Sequence, residues 1–447
     1  MLELGYNILK YLDEFLGLHQ LSYRSVLIRT FILVFVLFVV AYYRASKRNI
    51  SLQPSRYELK HLVASFTIVT ASVILIELSY YMISRIVVGE ATPDTLVILR
   101  HGHWSKSYKN PYYDLINVPA FYRALNTILY NLETAHSMMS IIPVDFISGL
   151  LFIIVVYLIA RNLLKVHTLA IIIATVALIA MPLSNFTIYA AAPIALSLLG
   201  LFLTANRESS WREYLALALL YLGALFIHGI SLLMILLPLT YIVIISTSST
   251  NTVRQRKKYS RILLLMTLLA ATRFFLTTAL VGASTYIHEL LQFLYSPTES
   301  VIREVKLSHH AVPRITAYAF TVLPSIALAP MLSNIINFLL RMKEKVCTYI
   351  HSKILLKEHY VAFALSSMLI LVAGFIASTF SNSLSRELGV PATMLMVLPA
   401  SYTIHKLLTD RKTKILLIIV VVMALLTSLF TPYRIPYYEE YRPLTTA

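Results

Sequence analysis

The chain has 447 residues, of which 58% are hydrophobic and only 13% charged, and its 38 Lys/Arg against 21 Asp/Glu leave a net charge of +17. A soluble domain carries about a quarter charged residues, so this composition excludes an ordinary soluble enzyme. One cysteine, Cys347, excludes a disulfide framework. The basic excess lies on loops beside apolar runs, which excludes nucleic acid as the partner.

The first twenty residues, MLELGYNILKYLDEFLGLHQ, lack the basic start and unbroken apolar core of a signal peptide. Leu4, Ile8, Tyr11, Leu12, Phe15 and Leu16 recur at helical spacing, so residues 1–24 are expected to form an interfacial segment. From residue 25 to 430 the chain holds about twelve apolar runs long enough to cross a bilayer. The expected fold class is all-α: a polytopic membrane protein with about 12 transmembrane helices. The first spans are expected near 25–43 and 62–88. Three more follow near 141–160, 168–184 and 187–204, and a tight hairpin of two, 211–227 and 230–246, turns at His228-Gly229. The last five are expected near 262–281, 315–338 and 360–380, after a short outer turn bearing Arg386, and ending near Phe430. Pro324 and Pro330 predict a kink in the span at 315–338.

Folding the chain back and forth through these spans separates its charges. Alternate loops, including 44–61, 247–261 and 341–359, hold 23 Lys/Arg and 6 Asp/Glu. The remaining loops, spans and ends hold 15 of each. Lys and Arg stay on the cytoplasmic side during insertion. That rule predicts a multi-pass protein of the plasma membrane with external loops at 89–140 and 282–314 and an external tail at 431–447. Anionic lipid is the natural counterpart of the basic loops.

The first external loop reads GEATPDTLVILRHGHWSKSYKNPYYDLINVPAFYRALNTILYNLETAHS. Asp94 opens it, close to the end of the second span. Phe121, Leu125, Ile128 and Leu132 recur at three and four, which predicts an amphipathic surface helix over 118–136. An acidic residue at the start, then G-H-W, N-P-Y-Y and surface helices, resembles the first external loop of the membrane glycosyltransferases of the GT-C superfamily. The resemblance implies transfer of a sugar from a polyprenyl-phosphate lipid donor to an acceptor on the extracytoplasmic side. It implies membrane lipid and lipid-linked sugar as partners and leaves the acceptor open. It also implies that Asp94 is the catalytic base or a contact to a divalent cation, Mg or Mn. The family often pairs two acidic residues here; Glu90 and Asp114 are the nearest companions, and neither is adjacent to Asp94. The richness in Ile, Leu and Tyr fits a prokaryotic or archaeal source.

Such a reaction needs a carboxylate to activate the acceptor hydroxyl and cations to take charge from the departing phosphate. Arg100, Arg273, Arg303, Lys306 and Arg386 are candidate cations. Arg273 lies within a span, where a charge is costly and marks a functional position. Two other readings of it stand: a structural pair with Glu77 in the second span, or snorkelling to the interface. His228 at the hairpin is either a substrate contact or a satisfied interfacial histidine. His101 and His103 either bind phosphate or metal, or line the site beside Trp104; two histidines do not make a metal site, so no protein metal site is assigned. His309 and His310, with Arg303 and Glu304, belong to the second external loop, either a cover over the donor or a solvated loop. There is no P-loop and no H-E-x-x-H motif. The competing function is a secondary transporter of a small polar or anionic solute. Transporters favour internal repeats and Gly-broken midplane helices, whereas this chain has 11 Gly and no repeat.

Overall fold

A computed structural model describes residues 2–47, 141–181, 194–202, 211–227, 240–245, 253–281, 291, 314–342, 358–377 and 382–429. The expected second span, the external loop 89–140, residues 282–313 other than 291, His228 and the C-terminal tail from residue 430 lie outside the described residues.

Among the described residues the fold is helical. Helix α1 covers Leu2–Phe15. It stops at Gly17, whose φ of 65° places it in the left-handed region that glycine enters without steric cost. A 3-10 turn, Leu18–Gln20, follows. Helix α2, Tyr23–Lys47, starts with the Ser22 hydroxyl accepting a hydrogen bond from the Ser25 amide at 3.2 Å. Next come α3, Ile141–Asn162, and α4, Thr168–Ile179. A helical segment at 194–202 precedes α5, Trp211–Ile227. Helix α6 is Val253–Val281. A 3-10 turn, Arg314–Thr316, leads into α7, Ala317–Met342. The chain closes with α8, Glu358–Ala377, α9, Asn382–Leu395, α10, Val397–Leu407, and α11, Arg411–Leu429.

Three stretches are long and apolar enough to cross a membrane: Ser25–Ser46, Arg314–Ile336 and His359–Ile376. Their outward faces carry Leu33 (71% exposed) and Phe375 (68% exposed). Large apolar side chains facing outward along such helices form the lipid-facing surface of a membrane protein.

Three boundaries differ from the sequence expectation. Helix α4 ends at Ile179, with Pro182 three residues on; its twelve residues rise about 18 Å, too short to cross the hydrocarbon core unaided. Helix α6 takes in the basic run RQRKKYSR, because Lys, Arg and Gln are good helix formers and no Gly or Pro interrupts them. Arg386 lies in α9 rather than in a turn. Asn382 and Ser383 suit a helix start, so the polarity of NSLSRE belongs to the first turns of a helix.

Helix α7 packs most extensively along α2, and α8 along α9. Helix α10 sits at the centre, touching α2, α3, α4, α7, α8, α9 and α11. Nine of its eleven residues are buried. Small residues permit the closest approaches, as is usual where lipid gives no hydrophobic drive for helices to associate. A Cβ built on Gly200 would lie 2.8 Å from Leu217 Cδ1 and 3.1 Å from Tyr221 Cε2. Helix α7 continues through Pro324 and Pro330, and the Tyr360 hydroxyl on α8 donates to the Ala327 carbonyl within that stretch at 2.9 Å.

Candidate functional site

Polar contacts gather at the two ends of the bundle. At one end, the buried carboxylate of Asp13 accepts hydrogen bonds from the backbone amides of Arg314 and Ile315, the latter at 2.7 Å. The amides at a helix start lack intrahelical partners and carry partial positive charge, so a carboxylate there is stabilised. The Arg314 guanidinium donates through Nε to the Leu21 carbonyl at 3.3 Å. His19 Nδ1 lies 3.4 Å from the Asp13 carbonyl.

At the other end, Arg44 Nε lies 3.5 Å from an oxygen of Asp410, which is 1% exposed. The same oxygen, Asp410 Oδ2, accepts from the Thr413 amide at 3.3 Å, capping α11. The His167 amide donates to His405 Nδ1 at 3.3 Å, joining the α3–α4 turn to the end of α10. Arg161 Nη1 reaches the Val166 carbonyl at 3.4 Å. Elsewhere in the chain, Lys258 on α6 has its pKa lowered by burial, opposed by the nearby negative charge of Glu213.

These contacts orient the helices. Helix α2 runs about 37 Å from the Asp13 end to the Arg44 end. Helix α3 rises about 33 Å from Ile141 to the Arg161–Val166 contact. About 32 Å of α9 and α10 separates Arg386 from Leu407. Ile141, Arg314 and Arg386 therefore all lie at the end of the bundle opposite the Arg44–Asp410 pair.

Arg273 lies in α6, twelve residues past Arg261 and eight before Val281, or about 18 Å and 12 Å along the axis. The other candidates, Glu77, Asp94, His101, His103, His228, His309 and His310, lie outside the described residues, as do Arg100, Arg303 and Lys306. Among the described residues no cluster of three or more His, Cys, Asp or Glu side chains is placed to hold a metal.

Sequence reasoning missed Asp13 and Asp410. Both are committed to helix starts, with their oxygens already accepting hydrogen bonds, so neither is available as a general base. The signal for Asp410 is local: an Asp just before a helix that runs into an apolar stretch is a favoured N-cap residue. Asp13 gives a weaker one. It lies four residues after Leu9, on the face that the structure buries, while Ile8, Tyr11 and Phe15 are exposed.

The fold and its outward surface thus define a helical membrane protein. No family model matches the sequence, and no curated protein matches it. The solved structures include a similar chain, the archaeal oligosaccharyltransferase AglB from Archaeoglobus fulgidus in complex with an inhibitory peptide and a dolichol-phosphate, at 15% identity and a TM-score of 0.44. The match covers 86% of this chain and 56% of that one, so this chain spans little more than half of that protein's length.

Proposed function

We propose that this protein is an integral membrane glycosyltransferase. It moves a sugar from a polyprenyl-phosphate lipid donor to an acceptor on the extracytoplasmic side. About twelve spans carry the chain, the basic end faces the cytoplasm, and α1 lies in the outer interface. The observation that carries the reading is the common end of Ile141, Arg314 and Arg386. The loop that Asp94 opens joins the bundle at Ile141, and the second outer loop joins it at Arg314. The motifs of the first loop, G-H-W and N-P-Y-Y, supply the resemblance to the GT-C enzymes.

In this reading Asp94 takes the proton from the acceptor hydroxyl as that oxygen attacks the anomeric carbon. The bond from that carbon to the phosphate oxygen breaks, and the lipid phosphate leaves with the bonding pair. Cations stabilise the charge on that leaving group. Arg386, at this end of the bundle, and Arg273 are the protein's candidates, with His101, His103, His228, His309 and His310 as substrate contacts. In the alternative role that the resemblance allows, Asp94 would contact a divalent cation, which would supply further charge to the phosphate.

A transporter would favour an unwound helix at the membrane midplane. Among the described residues, the α9–α10 junction, flanked by Pro391 and Pro399, is a candidate for such a break. Met396 there keeps helical dihedrals, φ −60° and ψ −16°. The bonds Met396 N to Ala392 O at 3.2 Å and Ala400 N to Met396 O at 2.9 Å bridge it. The enzyme reading is tested by incubating membranes with labelled polyprenyl-phosphate sugars and comparing the wild type with Asp94→Asn.

A further inference from the structure

We infer that the end of the bundle opposite the proposed transfer site carries a discrete binding site for the phosphate headgroup of an anionic membrane lipid, between the α3–α4 turn and the α10–α11 turn. This inference is independent of the enzyme reading. The contact from His167 to His405 draws the two turns together. It brings Lys165, two residues before His167, into the neighbourhood of Lys406, which follows His405. Arg411 and Lys412 open α11, which itself touches α4.

Lys165, Arg411 and Lys412 are exposed and Lys406 is half-buried. No described acidic side chain pairs with any of these four. The nearby acid, Asp410, is buried and already held by Arg44 and the Thr413 amide. Four cations on two joined turns thus lie where the nearby acid is already engaged. The starts of α4 and α11 add positive helix ends to the same region.

The position of this surface selects the occupant. The Arg44–Asp410 contact sets it beside the Ser46 end of the membrane-crossing stretch Ser25–Ser46; at such an end lipid phosphates are the densest anions, and each Lys or Arg adds to attraction for an anionic leaflet. Lys165 adopts a left-handed conformation with φ 54°. That tight turn keeps its side chain beside the bundle end rather than on a long free loop. The basic run on α6 has comparable charge but comes from one helix alone, so it serves as the control.

The test uses the full-length protein in nanodiscs of phosphatidylcholine, with and without a minor fraction of phosphatidylglycerol. Phosphatidylglycerol is expected to raise the melting temperature of the wild type by several degrees, as a ligand of the folded state does. The rise should vanish in Lys165→Gln/Lys406→Gln/Lys412→Gln. It should persist in Arg256→Gln/Lys257→Gln/Arg261→Gln and in the Lys→Arg version of the first triple. Equal loss in both Gln triples would show diffuse attraction and overturn the site. No rise in the wild type, or an equal rise with inorganic phosphate alone, would overturn the lipid assignment. The melting temperature of the first triple in phosphatidylcholine should match that of the wild type; a large drop would show a structural role and overturn the inference.

Discussion

The carboxylate of Asp13 accepts the backbone amide of Ile315 at 2.7 Å, although the two residues are 302 positions apart. The contact ties α1 to the start of α7, where the second outer loop joins the bundle. Removing the carboxylate strands two amides at a half-buried helix start. Asp13→Ala should cost about 2–3 kcal/mol, in the range of hydrogen bonds to charged groups and of buried donors left unmade. Asp13→Asn keeps one acceptor oxygen and should cost about half as much. Thermal unfolding in detergent checks both, and equal effects of the two changes would contradict the geometry.

At the other end the two members of an ion pair are not equivalent. Arg44 is 47% exposed, whereas Asp410 is 1% exposed and also caps α11. Arg44→Ala leaves the buried carboxylate without its cation but removes only a half-exposed group, and should cost about 1 kcal/mol. Asp410→Ala loses the cap as well and should cost about 1–2 kcal/mol. The order of the two melting temperatures is the measurement; a more damaging Arg44→Ala would reverse the assignment.

The interior offers a contrast between a satisfied hydroxyl and an orphaned one. Tyr360 donates to the Ala327 carbonyl, while the Ser366 hydroxyl is buried without a hydrogen-bond partner among the described residues. Tyr360→Phe should destabilise by about 1 kcal/mol. Ser366→Ala should be neutral or slightly stabilising, because it removes a polar group that burial penalises. A marked loss in Ser366→Ala would reveal a partner for that hydroxyl.

Topology can be read with a membrane-impermeant thiol reagent in a Cys347→Ser background. A cysteine at Ser107 should react from outside, and one at Ser249 should not, because the charge rule places 89–140 outside and 247–261 inside. The reverse pattern would put Asp94 in the wrong compartment.

How far the sequence disclosed this fold depends on the range of the interactions. The bounds of α5, Trp211–Ile227, could be read directly, because the polar stretch NRESSWRE abuts an unbroken apolar run. The periodicity of α1 was equally plain. The face by which it docks was not: Ile8, Tyr11 and Phe15 point outward, and Asp13 makes the anchoring contact. No local pattern can name Arg314 and Ile315 as the partners of a residue some 300 positions earlier. Arg386 looked like turn polarity because a helix start and a turn use the same small polar residues. The candidate site was legible only as residue types on separate loops. In the proposed reading, what gathers those loops is the set of helix directions that the Arg44–Asp410 and Asp13–Ile315 contacts define at opposite ends of the bundle.

The central claim is tested most directly by transfer from a labelled polyprenyl-phosphate sugar in sealed vesicles of known orientation. The account predicts transfer to an acceptor supplied on the Ser107 side. Asp94→Asn should reduce that transfer by about 100-fold or more, in keeping with the loss of a general base, while leaving the melting temperature unchanged. Undiminished transfer by Asp94→Asn, or transfer only to an acceptor on the Ser249 side, would contradict it.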